Sequence, residues 1–154
     1  MQALDLVGRK LARNGGRAPF ALFKRINDFI AAETSDAMKP YVGPLKAGVL
    51  RTQEATMWLA QNGIKNPDNA GAGSVDYLRL FALTVIGWLW ARQAKAALAK
   101  LATKPANALF YEAKLEAPRA GDILVMASFA GSALVAAAAG LVALRPFFGR
   151  PRAT

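Results

Sequence analysis

The sequence contains no cysteine and no histidine. The first absence excludes disulfides, thiolate nucleophiles and zinc sites built on sulfur, and it permits a reducing compartment. The second removes the commonest general base, the commonest metal ligand and any Ser-His-Asp or Cys-His arrangement. Acidic residues are scarce too, 10 Asp and Glu against 20 Lys and Arg. No convergent acid pair stands out among them. No catalytic, cofactor-binding or metal-ligating residue is therefore assigned. At the N-terminus only a short apolar stretch precedes Arg9, and Asp5 interrupts it. That is not the pattern of a secretory signal peptide, and a cytoplasmic location is expected.

What is abundant is apolar. Of 154 residues 54% are hydrophobic and the mean hydropathy is +0.20, high for one domain of this size unless burial is extensive or a membrane is near. The net charge of +10 would suit nucleic acid or an anionic surface, but the basic residues are scattered over every segment. No helix-turn-helix pattern, zinc spacing or RNP-like aromatic strand accompanies them, so nucleic acid is not an expected partner.

The chain reads as helical almost throughout. Leu4, Leu6, Val7 and Leu11 recur at helical spacing, and Asn14-Gly15-Gly16 supplies a left-handed stop. A second helix is predicted from about Pro19 to Glu33, with Phe20, Phe23, Ile26, Phe29 and Ile30 on one face. Residues 34–44, with Pro40 and Pro44, read as a connection, and a third helix as Leu45 to Gln61, closed by Asn62-Gly63. Residues 64–73 read as an irregular loop, with Ser74 as the N-cap of a fourth helix reaching about Ala102. Its Gly-x-Gly lacks a preceding strand and a third glycine, so it is no phosphate cradle. The uncharged middle of the fourth helix, Leu80 to Ala91, is too short for the ~20 residues of a bilayer span and marks a central core helix. Lys104-Pro105 ends it, a fifth helix runs from about Ala106 to Ala117, and Pro118 follows.

From Ile123 to Leu144 no charged residue occurs, and Arg145, Arg150 and Arg152 follow. That length with positive flanks is a membrane-span candidate. The run is rich in Ala, Gly and Ser, however, a composition that equally suits close helix packing. The fold class expected is all-α, a bundle of five or six helices, with the last either packed or in a membrane.

The order of several blocks carries a resemblance. Ala55-Thr56-Met57-Trp58-Leu59, Asn66-Pro67-Asp68-Asn69-Ala70-Gly71-Ala72-Gly73, Tyr77-Leu78-Arg79-Leu80-Phe81, Gly87-Trp88-Leu89-Trp90-Ala91-Arg92 and Phe110-Tyr111-Glu112-Ala113-Lys114-Leu115 resemble the appended C-terminal helical domain of bacterial acyl-CoA dehydrogenases of the acetyl-CoA dehydrogenase-like subgroup. Gln2 to Leu11 is similar to the helix that follows the motif bearing those enzymes' catalytic glutamate. The match weakens beyond Pro118, although Leu141-Val142-Ala143-Leu144 keeps the family's pattern. The resemblance implies three parts: 1–17 as a terminal helix of the dehydrogenase core, 18–118 as the appended domain, and 119–154 as a divergent apolar segment with a basic tail.

It further implies a parent oxidoreductase, an FAD flavoprotein that oxidises acyl-CoA thioesters of the fatty-acid type. The glutamate base and the flavin-bearing parts would precede Met1. No carboxylate here matches the base, and Glu33, Glu54, Glu112 and Glu116 read as helix-surface groups. The chain alone is then expected to be noncatalytic and to hold no cofactor. Its expected partners are flavin-bearing dehydrogenase domains or subunits in a homo-oligomer, met through Phe20, Phe23, Trp58, Trp88 and Trp90. The alternative is a small basic membrane-associated protein anchored by residues 123–144.

Overall fold

A computed structural model describes residues 2–11, 13–63 and 65–116, with the backbone alone at Asn69. The 119–154 segment and its 123–144 run lie outside the described residues. Those described are helical, with no strand among them. A short helix α1 (Gln2–Asp5) continues into a π-helical turn, Leu6–Lys10. Three successive left-handed residues, Asn14, Gly15 and Gly16 (φ 53, 65 and 77°), then reverse the chain, as their order predicts.

Helix α2 (Arg17–Ala32) starts directly from this reversal, with Gly16 as its N-cap residue. A Cβ on Gly16 would stand 2.9 Å from Cε2 of Phe20, and φ is +77°. Gly16→Ala is therefore expected to cost ~1–2 kcal/mol from the left-handed backbone alone. Gly43→Ala, in an open helical position, should instead stabilise by ~0.5–1 kcal/mol. Chemical denaturation of the two variants checks the opposite signs.

Two expected loops are helix. The connection after α2 shrinks to a 3-10 turn, Asp36–Met38, and α3 runs Lys39–Gly63 with both prolines inside it. Pro40 sits in the first turn, where its missing N–H has no partner to lose. Pro44 leaves only the Pro40 carbonyl without its helical donor. From Pro67 on, the expected 64–73 loop is likewise helix, the start of α4 (Pro67–Leu101). Asn66, not Ser74, is its N-cap: the Asn66 side chain accepts from the Asp68 amide at 3.1 Å, Pro67 fits the first turn, and Asp68 complements the helix dipole. Ser74 is buried a further two turns in, donating to the Gly71 carbonyl at 2.9 Å. α5 spans Ala108–Glu116, beginning two residues later than expected, and the expected last residue, Ala117, lies outside the described residues.

α3 and α4 form the antiparallel spine. Gly63 meets Ala70, Thr56 meets Tyr77 and Thr52 meets Thr84, so position falls along one helix as it rises along the other. α3 buries Tyr41, Leu45, Val49, Thr52, Thr56 and Leu59, steps of three and four that make one face. α4 presents Tyr77, Leu80, Thr84, Gly87, Ala91, Ala94 and Ala97 at the same steps. The small residues in its second half admit close neighbours.

Two apolar clusters result. Phe23 and Ile26 of α2 join Tyr41, Leu45, Val49, Ala91 and Ala94 in one, and Val7, Ala55, Leu59, Tyr77 and Leu80 form the other. Phe81 packs against both, its ring edge-on to Phe23 at 6.1 Å and tilted to Tyr77 at 5.9 Å. The Tyr41 hydroxyl donates to the Leu115 carbonyl at 3.1 Å and ties α5 to the start of α3. Glu33 is not a surface carboxylate. Its side chain is only 9% exposed, because Lys95 of α4 closes over it as an ion pair that locks the end of α2 to the spine.

Candidate functional site

The structure separates the five aromatic residues singled out from the sequence. Phe23 is 2% exposed and belongs to the core, so it presents nothing to a partner. Trp58, Trp88 and Trp90 are half-buried. The Arg92 guanidinium stands 5.2 Å from the Trp88 ring centre, and the buried Trp88 indole N–H has no acceptor among the described residues. Phe20 is 49% exposed and stands at the edge of a cavity.

That cavity, of about 350 Å³, lies where the chain reversal, the start of α2 and the end of α3 meet. Val7 and Leu11 of the first turns, Pro19 and Phe20 of α2, and Leu59 of α3 supply its apolar wall. Gly8, Gly15, Gly16, Ala60, Gly63 and Ala70 keep it open by contributing little or no side chain. The left-handed Asn-Gly-Gly reversal is what swings Phe20 back beside Leu11. Sequence reasoning missed this pocket. The available signal was the run of glycines at 8, 15, 16 and 63 beside apolar residues, legible only once their segments are known to converge.

Thr56 carries the one hydroxyl in the lining, and it is already committed. It donates to the Thr52 carbonyl at 2.6 Å and accepts from the Tyr77 hydroxyl at 2.7 Å. Behind it the Thr52 and Thr84 hydroxyl oxygens lie 2.7 Å apart, with the Gly48 carbonyl 2.8 Å from Thr52 and the Leu80 carbonyl 2.9 Å from Thr84, so their two hydrogens serve two of these three contacts at a time. A ladder of hydroxyls thus satisfies the α3–α4 contact from within. Among the described residues no titratable side chain lines the pocket, and its wall can receive an apolar side chain.

Burial pushes the Tyr77 phenol up to about 12, against a smaller lowering by its bond to Thr56. The folded value lies above the unfolded one, so the contribution is fully present below pH 10 and is lost as pH rises through 12. Across that window stability should fall by ~1.4 kcal/mol per pH unit beyond the general alkaline trend. Tyr77→Phe should remove that extra fall while costing ~1 kcal/mol at neutral pH for the lost hydrogen bond. Denaturation curves of both proteins at pH 8 to 11.5 check the sign.

The segments around the mouth are basic. The Arg9 guanidinium, bonded at 2.5 Å, and then Lys10 hold the Asp5 carboxyl down to about 2, so Asp5 stays ionised and offsets part of that charge. Arg13 and Arg17 are exposed and have no carboxylate partner among the described residues. The pocket is thus apolar within and basic around its mouth.

The chain belongs to the family described as acetyl-CoA dehydrogenase C-terminal like, whose family model matches residues 22–145. It is similar to 3-methylmercaptopropionyl-CoA dehydrogenase of Ruegeria pomeroyi, 33% identical over 122 residues. That alignment takes in 75% of this chain and 20% of the relative, so the chain matches about a fifth of that protein. The family match runs past Pro118, where the sequence resemblance weakens, and takes in the whole 123–144 run. The wall of the pocket itself has no charged side chain among the described residues.

Proposed function

We propose that this chain serves as the noncatalytic C-terminal helical domain of an FAD-dependent acyl-CoA dehydrogenase, packing against the flavin-bearing part. The observation that carries this is the open apolar pocket beside half-exposed Phe20, in a domain whose family accompanies such enzymes. FAD, when bound by the parent enzyme, accepts the hydride. This chain's own residues shape and hold the interface. Phe20 and the glycine-floored pocket would take an apolar projection of the partner, while Lys10, Arg13 and Arg17 would face carboxylates at its rim. Association is then salt-sensitive at the rim and shape-dependent at the pocket.

The division into a core helix (1–17), an appended domain (18–118) and a final segment is part of this proposal. So are a homo-oligomeric parent and a cytoplasmic location. The sulfur-bearing acyl thioester named for the Ruegeria protein is the first substrate to assay. Depleting a source-cell extract with an antibody against this domain should remove acyl-CoA-dependent reduction of an electron-accepting dye. Activity left undiminished across short, medium, long and methylthio acyl-CoAs would sink the proposal.

A further inference from the structure

The cavity beside Phe20 measures about 350 Å³. That is roughly twice the ~150 Å³ of an apolar cavity that admits benzene, and it lies within the range of small-ligand pockets. Its wall is apolar, and the single hydroxyl there, on Thr56, is engaged with Thr52 and Tyr77. A polar body would leave its groups unpaired inside. A saturated chain of about eight carbons fills such a space without that cost.

Charge around the mouth selects the other end of the ligand. Within two positions of a lining residue the sequence places five basic residues and three acidic ones. Two of the acids are already paired, Asp5 with Arg9 and Lys10, and Glu54 with Arg51. The third, Asp68, lies in the first turn of α4, where the helix dipole favours it. Arg13, Arg17 and Lys65 remain, all exposed and with no carboxylate partner among the described residues. Arg17 adjoins Gly16 of the lining and Lys65 follows Gly63 of the lining, so cations reach the mouth from the chain reversal and from the end of α3.

We propose that the pocket binds a small amphipathic anion, an alkyl carboxylate of about eight carbons. Its tail lies against Leu11, Phe20 and Leu59, and its head sits among Arg13, Arg17 and Lys65. An apolar projection of the flavin-bearing partner would fill the same wall, so ligand and partner exclude each other. That exclusion, unlike the binding, rests on the docking proposed above.

The probe is octanoate, titrated into the full-length chain and followed by amide shifts. One saturable site is expected, with the Gly15, Gly16 and Gly63 amides moving. Octan-1-ol, of equal length but uncharged, should bind about tenfold more weakly. Arg13→Ala with Arg17→Ala should weaken octanoate about fivefold and leave octanol within about twofold. Ala60→Trp, at an exposed lining position on α3, should abolish saturable binding. Should that variant lose its far-UV helical signal, Gly8→Leu fills the pocket instead, since a Cβ there meets nothing within 4 Å. Absence of saturable binding, octanol bound as tightly as octanoate, or binding undiminished in the filled variants would each overturn the site and leave the docking untouched. In the captured assembly, saturating octanoate should lower the flavin recovered with the chain. Recovery unchanged while the pocket amides shift would instead overturn docking in the pocket and leave the site standing.

Discussion

Tyr77→Ala is expected to destabilise the domain by ~3–5 kcal/mol, the range for truncating a large buried aromatic side chain. Tyr77 is 0% exposed, touches Phe81 and closes the hydroxyl ladder at Thr56. Its removal opens a cavity between α3 and α4 and takes the donor from the Thr56 oxygen. The loss is far larger than for Tyr77→Phe, which keeps the ring. Equilibrium unfolding in denaturant reads it as a lower midpoint, and a change below ~1.5 kcal/mol would mean that the spine repacks without the ring.

The second large effect is on association. Phe20→Glu should weaken binding to the flavin-bearing partner by ~2–4 kcal/mol, roughly 30- to 1000-fold, because it places a charge where an aromatic anchor meets an apolar pocket. Half of the ring is already in water, so the isolated domain should lose under ~1 kcal/mol. Leu109→Glu, on α5 and 81% exposed away from the pocket, is the matched control and should leave association unchanged. The measurement is flavin recovered with each variant at fixed protein. Equal recovery for Phe20→Glu and Leu109→Glu would remove the pocket from the account.

Helix periodicity made most of this fold legible. The face Phe23, Ile26 and Phe29 on α2 follows from spacing alone, as does the stop at Asn14-Gly15-Gly16. Two loops were misread for one reason. Pro40, Pro44, Gly71 and Gly73 have poor helix propensity, but packing of α3 on α4 outweighs a cost of ~1 kcal/mol for each glycine and ~3 kcal/mol at Pro44 inside α3. The local clue that could have moved the start of α4 was Asn66-Pro67-Asp68, a cap, a first-turn proline and an acidic second residue in order. Glu33 reads as a surface group in the sequence because its partner Lys95 lies 62 positions away, a separation no periodicity reveals.

The candidate site was less legible than the fold. Aromatic residues can be picked from a sequence, but whether each faces inward depends on the angle at which its helix meets the next. Phe20 and Phe23 lie three residues apart on α2 with rings 6.5 Å apart, yet one is core and the other stands at the pocket. The difference is set by where the reversal at Gly16 places the preceding turn. No pattern within α2 encodes it.

The central claim is tested most directly by the native mass and visible absorbance of the species that carries this chain, captured from source cells. The account predicts an assembly or polypeptide several times 16.4 kDa with a flavin absorbance band. A colourless species of 16.4 kDa alone would contradict it.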